Sequence, residues 1–249
     1  MLLINRAFMI ISDEGYIINL RRHGEKSLIL TILSKEHGKV VGYVKNCLTP
    51  KKLGIYQQGN LVKFEAYARL EENMWSLRIE LSRAYAANFL ANPRKLATLT
   101  SFCVLCCETM PEGQSLEEFY ECADNFFKQI NEDNWLTYYC HFEFYLLAFL
   151  GISLDLEKCS VTGSYDNLRY VSPKTGKAVC AEIGRPYHNR LYAYPRFIIE
   201  NITHPTTQEI KDLLIMTEFF LHKNFFRTHY LKFPESRANL LHNLDLQEI

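Results

Sequence analysis

The fold of this chain is decided by residues 15–47, GYIINLRRHGEKSLILTILSKEHGKVVGYVKNC. Three short runs in this stretch, 16–22, 28–34 and 39–45, are rich in β-branched and other apolar residues and follow one another closely. Each of the two turns that join them contains a glycine. This spacing is typical of consecutive antiparallel strands.

The third run alternates in a way that suggests a function. Side chains at alternate positions of a strand point to opposite faces. One face therefore carries Lys39, Val41, Tyr43 and Lys45, and the other carries Val40, Gly42 and Val44. Two kinds of surface fit this pattern. Cations around an aromatic ring suit a phosphate backbone whose bases stack on the protein, whereas a solvated strand face with a cross-strand tyrosine gives the same pattern without a ligand.

Two further runs, 61–70 and 74–81, alternate cleanly between apolar and polar residues, as expected for strands with one buried and one wet face. Between them and the first three lies 46–60, a turn-rich segment without a helical period. Five short antiparallel strands within about 70 residues predict a small closed barrel, with the oligonucleotide-binding (OB) fold as the natural candidate.

The pattern changes to a helical period after residue 81. The predicted helices span 84–109 with a break at Pro93, 115–130, 134–150, 206–230 and 235–246, and 159–190 is predicted to be irregular. Ser115 with Glu118, and Thr206 with Glu209, have the spacing of capping boxes that open helices.

These elements predict an α+β multidomain chain. An N-terminal five-stranded OB-fold β-barrel occupies 1–82. An α-helical domain follows in two parts, 83–157 and 196–249, and a zinc-knuckle-like loop insertion at 158–195 separates them.

Charge is distributed unevenly although the whole chain is neutral, with 28 basic and 28 acidic residues. Between residues 16 and 63 there are nine basic and two acidic side chains. Between 81 and 157 there are four basic and eleven acidic ones. A basic module next to an acidic one predicts either a polyanion partner for the barrel or docking of the two modules on each other.

The eight cysteines are expected to be free thiols, because a 29.2 kDa chain without a secretory signal is typical of a reducing compartment. The uncharged apolar stretch 144–154 is shorter than the roughly 20 residues of a transmembrane helix. The sequence therefore predicts a cytoplasmic protein without membrane contact.

No arrangement of residues predicts an active site, so the chain is expected not to be an enzyme. Cys103, Cys106 and Cys107 have half of a metal-binding spacing but lie in an apolar helical run, where cysteine packs as a small hydrophobe. His141 and Glu143 lack the spacing of a zinc-binding helix.

The segment Cys159–Gly163 and, 21 residues after Cys159, the segment Cys180–Ile183 are spaced like the two halves of a zinc ribbon. Each half needs a cysteine at its fourth place, where this chain has Thr162 and Ile183. His188 is the nearby substitute, and a metal-dependent enzyme using Cys159, Cys180 and His188 is a rival interpretation. We expect vestigial knuckles without metal and no cofactor.

Three stretches of this sequence resemble the RecO family of bacterial recombination mediators, most closely its proteobacterial branch. They are 13–46, 57–87 and 150–187, which contain G-E at 24–25, E-H-G-K at 36–39, Lys45, C-S-V-T-G at 159–163 and Y-V-S-P-K-T-G at 170–176. In the family, the start commonly falls where Met9 stands, so the resemblance implies that residues 1–8 are expected to be an extension or a misassigned start.

The resemblance implies an OB barrel, a helical body and a knuckle-like insertion. It also implies binding to single- and double-stranded DNA, annealing of complementary strands, and loading of RecA onto strands coated by single-stranded DNA-binding protein. The implied partners are RecR, the C-terminal tail of single-stranded DNA-binding protein and, as a further candidate, RecF. The implied location is the bacterial cytoplasm, at the nucleoid during repair.

A backbone-binding groove is therefore predicted, with Tyr43 as a stacking platform. Its cations are Arg21, Arg22, Lys26, Lys39, Lys45, Lys51 and Lys52. The alternative function is a non-catalytic scaffold whose basic barrel docks an acidic partner. For the tail of single-stranded DNA-binding protein, the candidate cations are Arg94, Lys95, Lys128, Lys223 and Arg227.

Overall fold

A computed structural model describes residues 9–50, 52–68, 74–90 and 92–245, so Lys51, the end of the predicted strand 61–70 and residues 1–8 lie outside the described residues. The chain forms two compact units, Met1–Phe127 and Lys128–Ile249. The predicted four-part division, with its first boundary at residue 82, stays a prediction.

The first unit contains a closed barrel, and this part of the fold prediction is confirmed. Its strands are β1 (Met9–His23), β2 (Ser27–Ser34), β3 (Gly38–Val44), β4 (Leu61–Ala68) and β5 (Trp75–Arg83), in the spatial order β1-β2-β3-β5-β4. β1 is long enough to pair with both β4 and β2, and a register shift between Ile17 and Asn19 bends it from one partner to the other.

The barrel interior is filled by the alternate residues that the sequence pattern predicts. Leu28, Leu30 and Ile32 of β2 pack there with Phe64 of β4 and Leu77 of β5. Gly42 is required at its position, because a Cβ atom there would lie 2.5 Å from the Leu77 side chain. Cys47 and Tyr56, from the loop between β3 and β4, are buried in the same core and close one end of the barrel.

Three helices complete this unit: α1 (Ala86–Leu90), α2 (Pro93–Thr109) and α3 (Glu117–Lys128). The predicted break falls where α2 begins, with Pro93 in its first turn and Asn92 accepting hydrogen bonds from the N–H groups of Arg94 and Lys95. Tyr16 of β1 stacks on Phe127 with 4.0 Å between ring centroids, which packs α3 against the barrel.

The second unit is mainly helical. It contains α4 (Trp135–Phe149), α5 (Ala181–Gly184), α6 (Arg196–Ile199), α7 (Thr207–Leu221) and α8 (Glu235–Asp245). The capping box of Thr206 and Glu209 is present at the start of α7. The predicted helix to residue 230 is too long: α7 ends at Leu221, and one π-helical segment, His222–Phe226, follows it.

The insertion is more ordered than the irregular structure predicted for it. It contains β6 (Leu168–Val171), β7 (Ala178–Cys180) and β8 (Tyr192–Ala193), in the order β7-β6-β8, and a 3₁₀ helix at Arg185–Arg190. Strands of two to four residues are too short to show a period in sequence. Within the described ranges, no helix is both long and apolar enough to cross a membrane.

Candidate nucleic-acid interface

The outer surface of β3 has the predicted alternation. Lys39, Val41 and Tyr43 are half-buried on it, while Val40 and Val44 are buried in the barrel. The register places Arg21 of β1 opposite Ile29 of β2, and Ile29 opposite Tyr43. Arg21, Ile29 and Tyr43 therefore form one row across three neighbouring strands, because directly opposed residues share a face of the sheet.

Tyr43 is held in place from two sides. Its hydroxyl donates a hydrogen bond to Ser27 Oγ over 3.0 Å. Its ring meets the His23 ring edge to face, with 5.2 Å between centroids. Part of the ring remains accessible, so it offers an aromatic surface of fixed orientation to a base.

Five exposed cations, which we call the basic end of the barrel, gather where β1 ends, β2 begins and β3 ends. They are Arg21, Arg22, Lys26, Lys45 and Lys52. The β1–β2 turn and the loop after β3 are joined there, since the carbonyl of Lys26 accepts hydrogen bonds from the N–H groups of Cys47 and Leu48. Within the described part of the chain, none of the five forms an ion pair with a carboxylate.

Lys39 is separated from this group. It lies at the opposite end of β3, four residues or about 13 Å from Tyr43 along the strand. Its Nζ donates a hydrogen bond to the carbonyl oxygen of Cys107 over 3.0 Å, in the last turn of α2. A cation in that place stabilises the negative end of the helix. The structure thus gives Lys39 a partner inside the protein, and its contact with phosphate stays a prediction.

His23 was not among the predicted site residues, although it touches the predicted stacking tyrosine. The sequence placed His23 in a turn. In the structure it ends β1 and pairs with Ser27, the residue that holds the Tyr43 hydroxyl. A turn that is one residue longer or shorter changes which residues pair across the hairpin. The sequence pattern does not fix the length of this turn.

The knuckle positions form a small packed core. Cys159 and Cys180 are buried with Val179, and Ile183 packs against them. The hydroxyl of Thr162 lies 3.9 Å from Cys180 Sγ. Ile183 has no ligand atom, and no group of three metal-binding side chains occurs in the described ranges. The donor set does not fit the four ligands of a structural zinc site.

The Cys159 sulfur is nevertheless surrounded by donors, as in a metal knuckle. Burial works to raise the pKa of its thiol. Hydrogen bonds from the Thr162 hydroxyl and from the N–H groups of Cys180, Thr162 and Val161 outweigh burial and lower that pKa to about 6. The Cys180 N–H lies 3.3 Å from the sulfur. The knuckle shape is therefore maintained by hydrogen bonds and packing.

Comparison with known proteins covers nearly the whole chain. Residues 9–85 match the family model "Recombination protein O N terminal", and residues 90–227 match "Recombination protein O C terminal". The chain is similar to proteins named DNA repair protein RecO. It is 36% identical to that of Wolbachia pipientis wMel, over 92% of this chain and 98% of the relative. It is 33% identical to the RecO protein of Bartonella quintana, over 92% of this chain and 95% of the relative. It is 34% identical to the RecO protein of Rickettsia akari, over 94% of this chain and 97% of the relative.

Proposed function

Because the chain belongs to the RecO family of DNA repair proteins, we propose that it is a recombination mediator that binds DNA without catalysing a reaction. Its role lies in DNA repair and recombination. The finer activities that we propose are annealing of complementary strands and loading of RecA onto single strands coated by single-stranded DNA-binding protein. The proposed location is the bacterial cytoplasm, at the nucleoid during repair.

The basic end of the barrel is the observation that carries this proposal. Five exposed cations, none of which pairs with a carboxylate of the described residues, lie at one end of a barrel of the oligonucleotide-binding type. Unpaired exposed cations keep their charge available for phosphate, and each phosphate contact releases counterions and so favours binding. Tyr43 adds an aromatic ring on which a base can stack.

Fluorescence anisotropy of a labelled single-stranded oligonucleotide tests the proposal. The oligonucleotide is titrated bare and coated with single-stranded DNA-binding protein, at two salt concentrations. We expect salt-sensitive binding to both forms. Binding to neither contradicts the mediator function and favours a scaffold that docks an acidic protein.

A variant tests the interface itself. Arg21→Glu/Arg22→Glu is expected to weaken binding at low salt at least tenfold and to reduce the salt slope by about 1.4, since each single-strand phosphate contact contributes about 0.7. The matched control is Lys35→Glu/Lys63→Glu, which reverses two exposed cations of the same barrel outside its basic end. An unchanged slope in the folded arginine variant contradicts the interface.

We propose three protein partners from the family: RecR, single-stranded DNA-binding protein and, as a further candidate, RecF. A polar pocket of about 320 Å³ in the second unit supports the second of these. Lys174 and Lys223 line it together with residues 150–154 and Phe220. Lys223 Nζ donates one hydrogen bond to the carbonyl oxygen of Pro173 over 2.9 Å, which fixes its ammonium group at the pocket and leaves its other N–H groups for a ligand. Two ammonium groups next to apolar surface suit a C-terminal carboxylate that follows an apolar side chain.

The partner site can be separated from the DNA site by binding assays. Lys174→Glu/Lys223→Glu is expected to lose affinity for a peptide with the tail sequence at least tenfold and to keep its affinity for a bare oligonucleotide. Of the other predicted cations, Arg227 is exposed and supplies the control Arg227→Glu. Equal loss with both variants contradicts a site in this pocket.

A further inference from the structure

A second group of exposed cations occurs in the insertion, far along the chain from the barrel residues. Residues 158–195 contain six basic and two acidic side chains. Two of the six basic side chains lie in the 3₁₀ helix Arg185-Pro-Tyr-His-Asn-Arg190, which we call the arginine turn. All six of its residues are exposed, and the Tyr187 side chain is 56% accessible.

The arginine turn has the geometry of a small stacking surface. Residues three apart lie above one another in a 3₁₀ helix, so Tyr187 and Arg190 share one side and Arg185 and His188 share another. Within the described residues, neither arginine forms an ion pair with a carboxylate. A tyrosine ring and a guanidinium group on one side can take a base and the adjoining phosphate together.

The turn is anchored at both ends by packing and strand pairing. Gly184, directly before it, lies so close to Tyr170 that a Cβ atom would be 2.2 Å from the ring. The β8 strand that follows it pairs with β6. Within the turn, His188 Nδ1 lies 3.1 Å from the carbonyl oxygen of Arg185. Binding therefore costs little ordering of the backbone, which favours affinity.

We propose that the arginine turn is a second binding surface for single-stranded nucleic acid, separate from the basic end of the barrel. The inference rests on the proposed DNA-binding function and extends it, because annealing requires two strands. One DNA strand binds to the barrel, and Arg185, Tyr187 and Arg190 bind the other. In this arrangement the vestigial knuckle is a scaffold that orients the turn without metal.

Binding measurements on the full chain test this surface. Arg185→Glu/Arg190→Glu is expected to keep binding one short oligonucleotide through the barrel, with the salt slope of that site unchanged, because this oligonucleotide does not touch the turn. The number of short oligonucleotides bound at saturation is expected to fall from two to one per chain. The rate at which complementary strands anneal is expected to fall at least tenfold.

Two further variants test whether base stacking contributes to annealing and whether loss of any surface cation slows it. Tyr187→Ala is expected to slow annealing while leaving the salt slope unchanged, because it removes stacking and no charge. Arg227→Glu/Lys232→Glu reverses two exposed cations of the same unit outside the insertion and is expected to behave as the wild type. Equal loss in this control overturns the proposal.

Photocrosslinking of an iodouridine-containing oligonucleotide, followed by peptide mapping, gives a readout that needs no variant. Crosslinks within 185–190, besides those in the barrel, support the second surface. Their absence, or one oligonucleotide at saturation of the wild type, overturns it while leaving the proposed function intact. Competition by polyglutamate as effective as by the oligonucleotide overturns the choice of nucleic acid as ligand. Wild-type protein that binds no oligonucleotide overturns both proposals.

Discussion

The two units use arginine in opposite ways. In the first unit, Arg21 and Arg22 are exposed at the basic end of the barrel, with no ion-pair partner in the described residues. In the second, Arg237 of α8 is completely buried. Its guanidinium group donates hydrogen bonds to both carboxylate oxygens of Glu143 in α4, at 2.5 and 3.0 Å, and to the carbonyl oxygen of Leu214 in α7.

The comparison shows how solvent exposure decides what a cation can do. A buried ion pair has lost its hydration, so each charge is stabilised only by its partner in the protein. Neither charge is then available to a ligand. Exposed unpaired cations contribute little to stability and keep their charge for phosphate. Changes at Arg237 should therefore alter folding, and changes at the basic end should alter binding.

The largest expected effect is on stability. Arg237→Met leaves the Glu143 carboxylate buried without its counter-charge, and the Thr217 hydroxyl still donates a hydrogen bond to it. We expect the free energy of unfolding to fall by about 3–5 kcal/mol, as when one partner of a buried pair is removed. Urea unfolding followed by circular dichroism measures this loss.

The double variant Arg237→Met/Glu143→Met is the control, because it removes both fully buried charges together and leaves only the partly exposed Glu218, whose carboxylate lies 3.9 Å from Arg237 Nη1. It is expected to be much more stable than Arg237→Met, since an apolar replacement of a whole buried pair is often nearly neutral. Oligonucleotide affinity of the folded variants should equal that of the wild type. A single variant as stable as the wild type contradicts the structural role of this pair.

Asp13 extends the comparison to a buried carboxylate in the barrel. Its oxygens accept hydrogen bonds from the Ser34 hydroxyl, from the Glu36 N–H over 2.8 Å and from His37 Nδ1 over 3.1 Å. Burial works to raise the pKa of this carboxyl, but the hydrogen bonds outweigh burial and hold its pKa below the ordinary value of 3.8. The ionised form therefore stabilises the folded barrel above that value, and the stabilisation is lost as pH falls through the lower folded pKa.

We expect Asp13→Asn to lower the free energy of unfolding by about 2 kcal/mol at pH 7, because hydrogen bonds to a charged acceptor are worth about 1.5–3 kcal/mol. The difference from the wild type should shrink when urea unfolding is repeated near pH 3. Glu80→Gln removes an exposed carboxylate of the same barrel and is expected to leave stability unchanged. A deficit of Asp13→Asn that is independent of pH contradicts the role of its charge.

The parts of this molecule that were predictable from sequence are those with a local signature. Alternation revealed the strands of the barrel, and the pairing of Thr206 with Glu209 revealed the start of α7. The ion pair of Arg237 with Glu143 joins residues 94 positions apart, and no local pattern marks either as buried. The short strands of the insertion are decided by packing around Cys159 and Cys180 rather than by their own propensity.

The same limit applies to the candidate interface. Strand alternation correctly put Lys39 and Tyr43 on one face of β3, which predicted that they act together. The position of α2 relative to the barrel was not encoded in that pattern, and the carbonyl of Cys107 now accepts a hydrogen bond from Lys39. The shared face of Lys39 and Tyr43 was therefore predictable, the internal partner of Lys39 was not, and the contact of Lys39 with phosphate stays a prediction.

The smallest expected effects compare the two ends of β3 directly. Lys45→Gln is expected to reduce the salt slope of oligonucleotide binding by about 0.7 and to leave stability unchanged, because Lys45 is exposed at the basic end. Lys39→Gln is expected to do the reverse: a loss of about 1 kcal/mol in the free energy of unfolding with an unchanged slope, because it removes a cation from the C-terminal turn of α2. Anisotropy at several salt concentrations and urea unfolding are measured on both variants. If Lys39→Gln reduces the slope as much as Lys45→Gln, the phosphate backbone follows the whole length of β3, and the hydrogen bond to Cys107 must open when DNA binds.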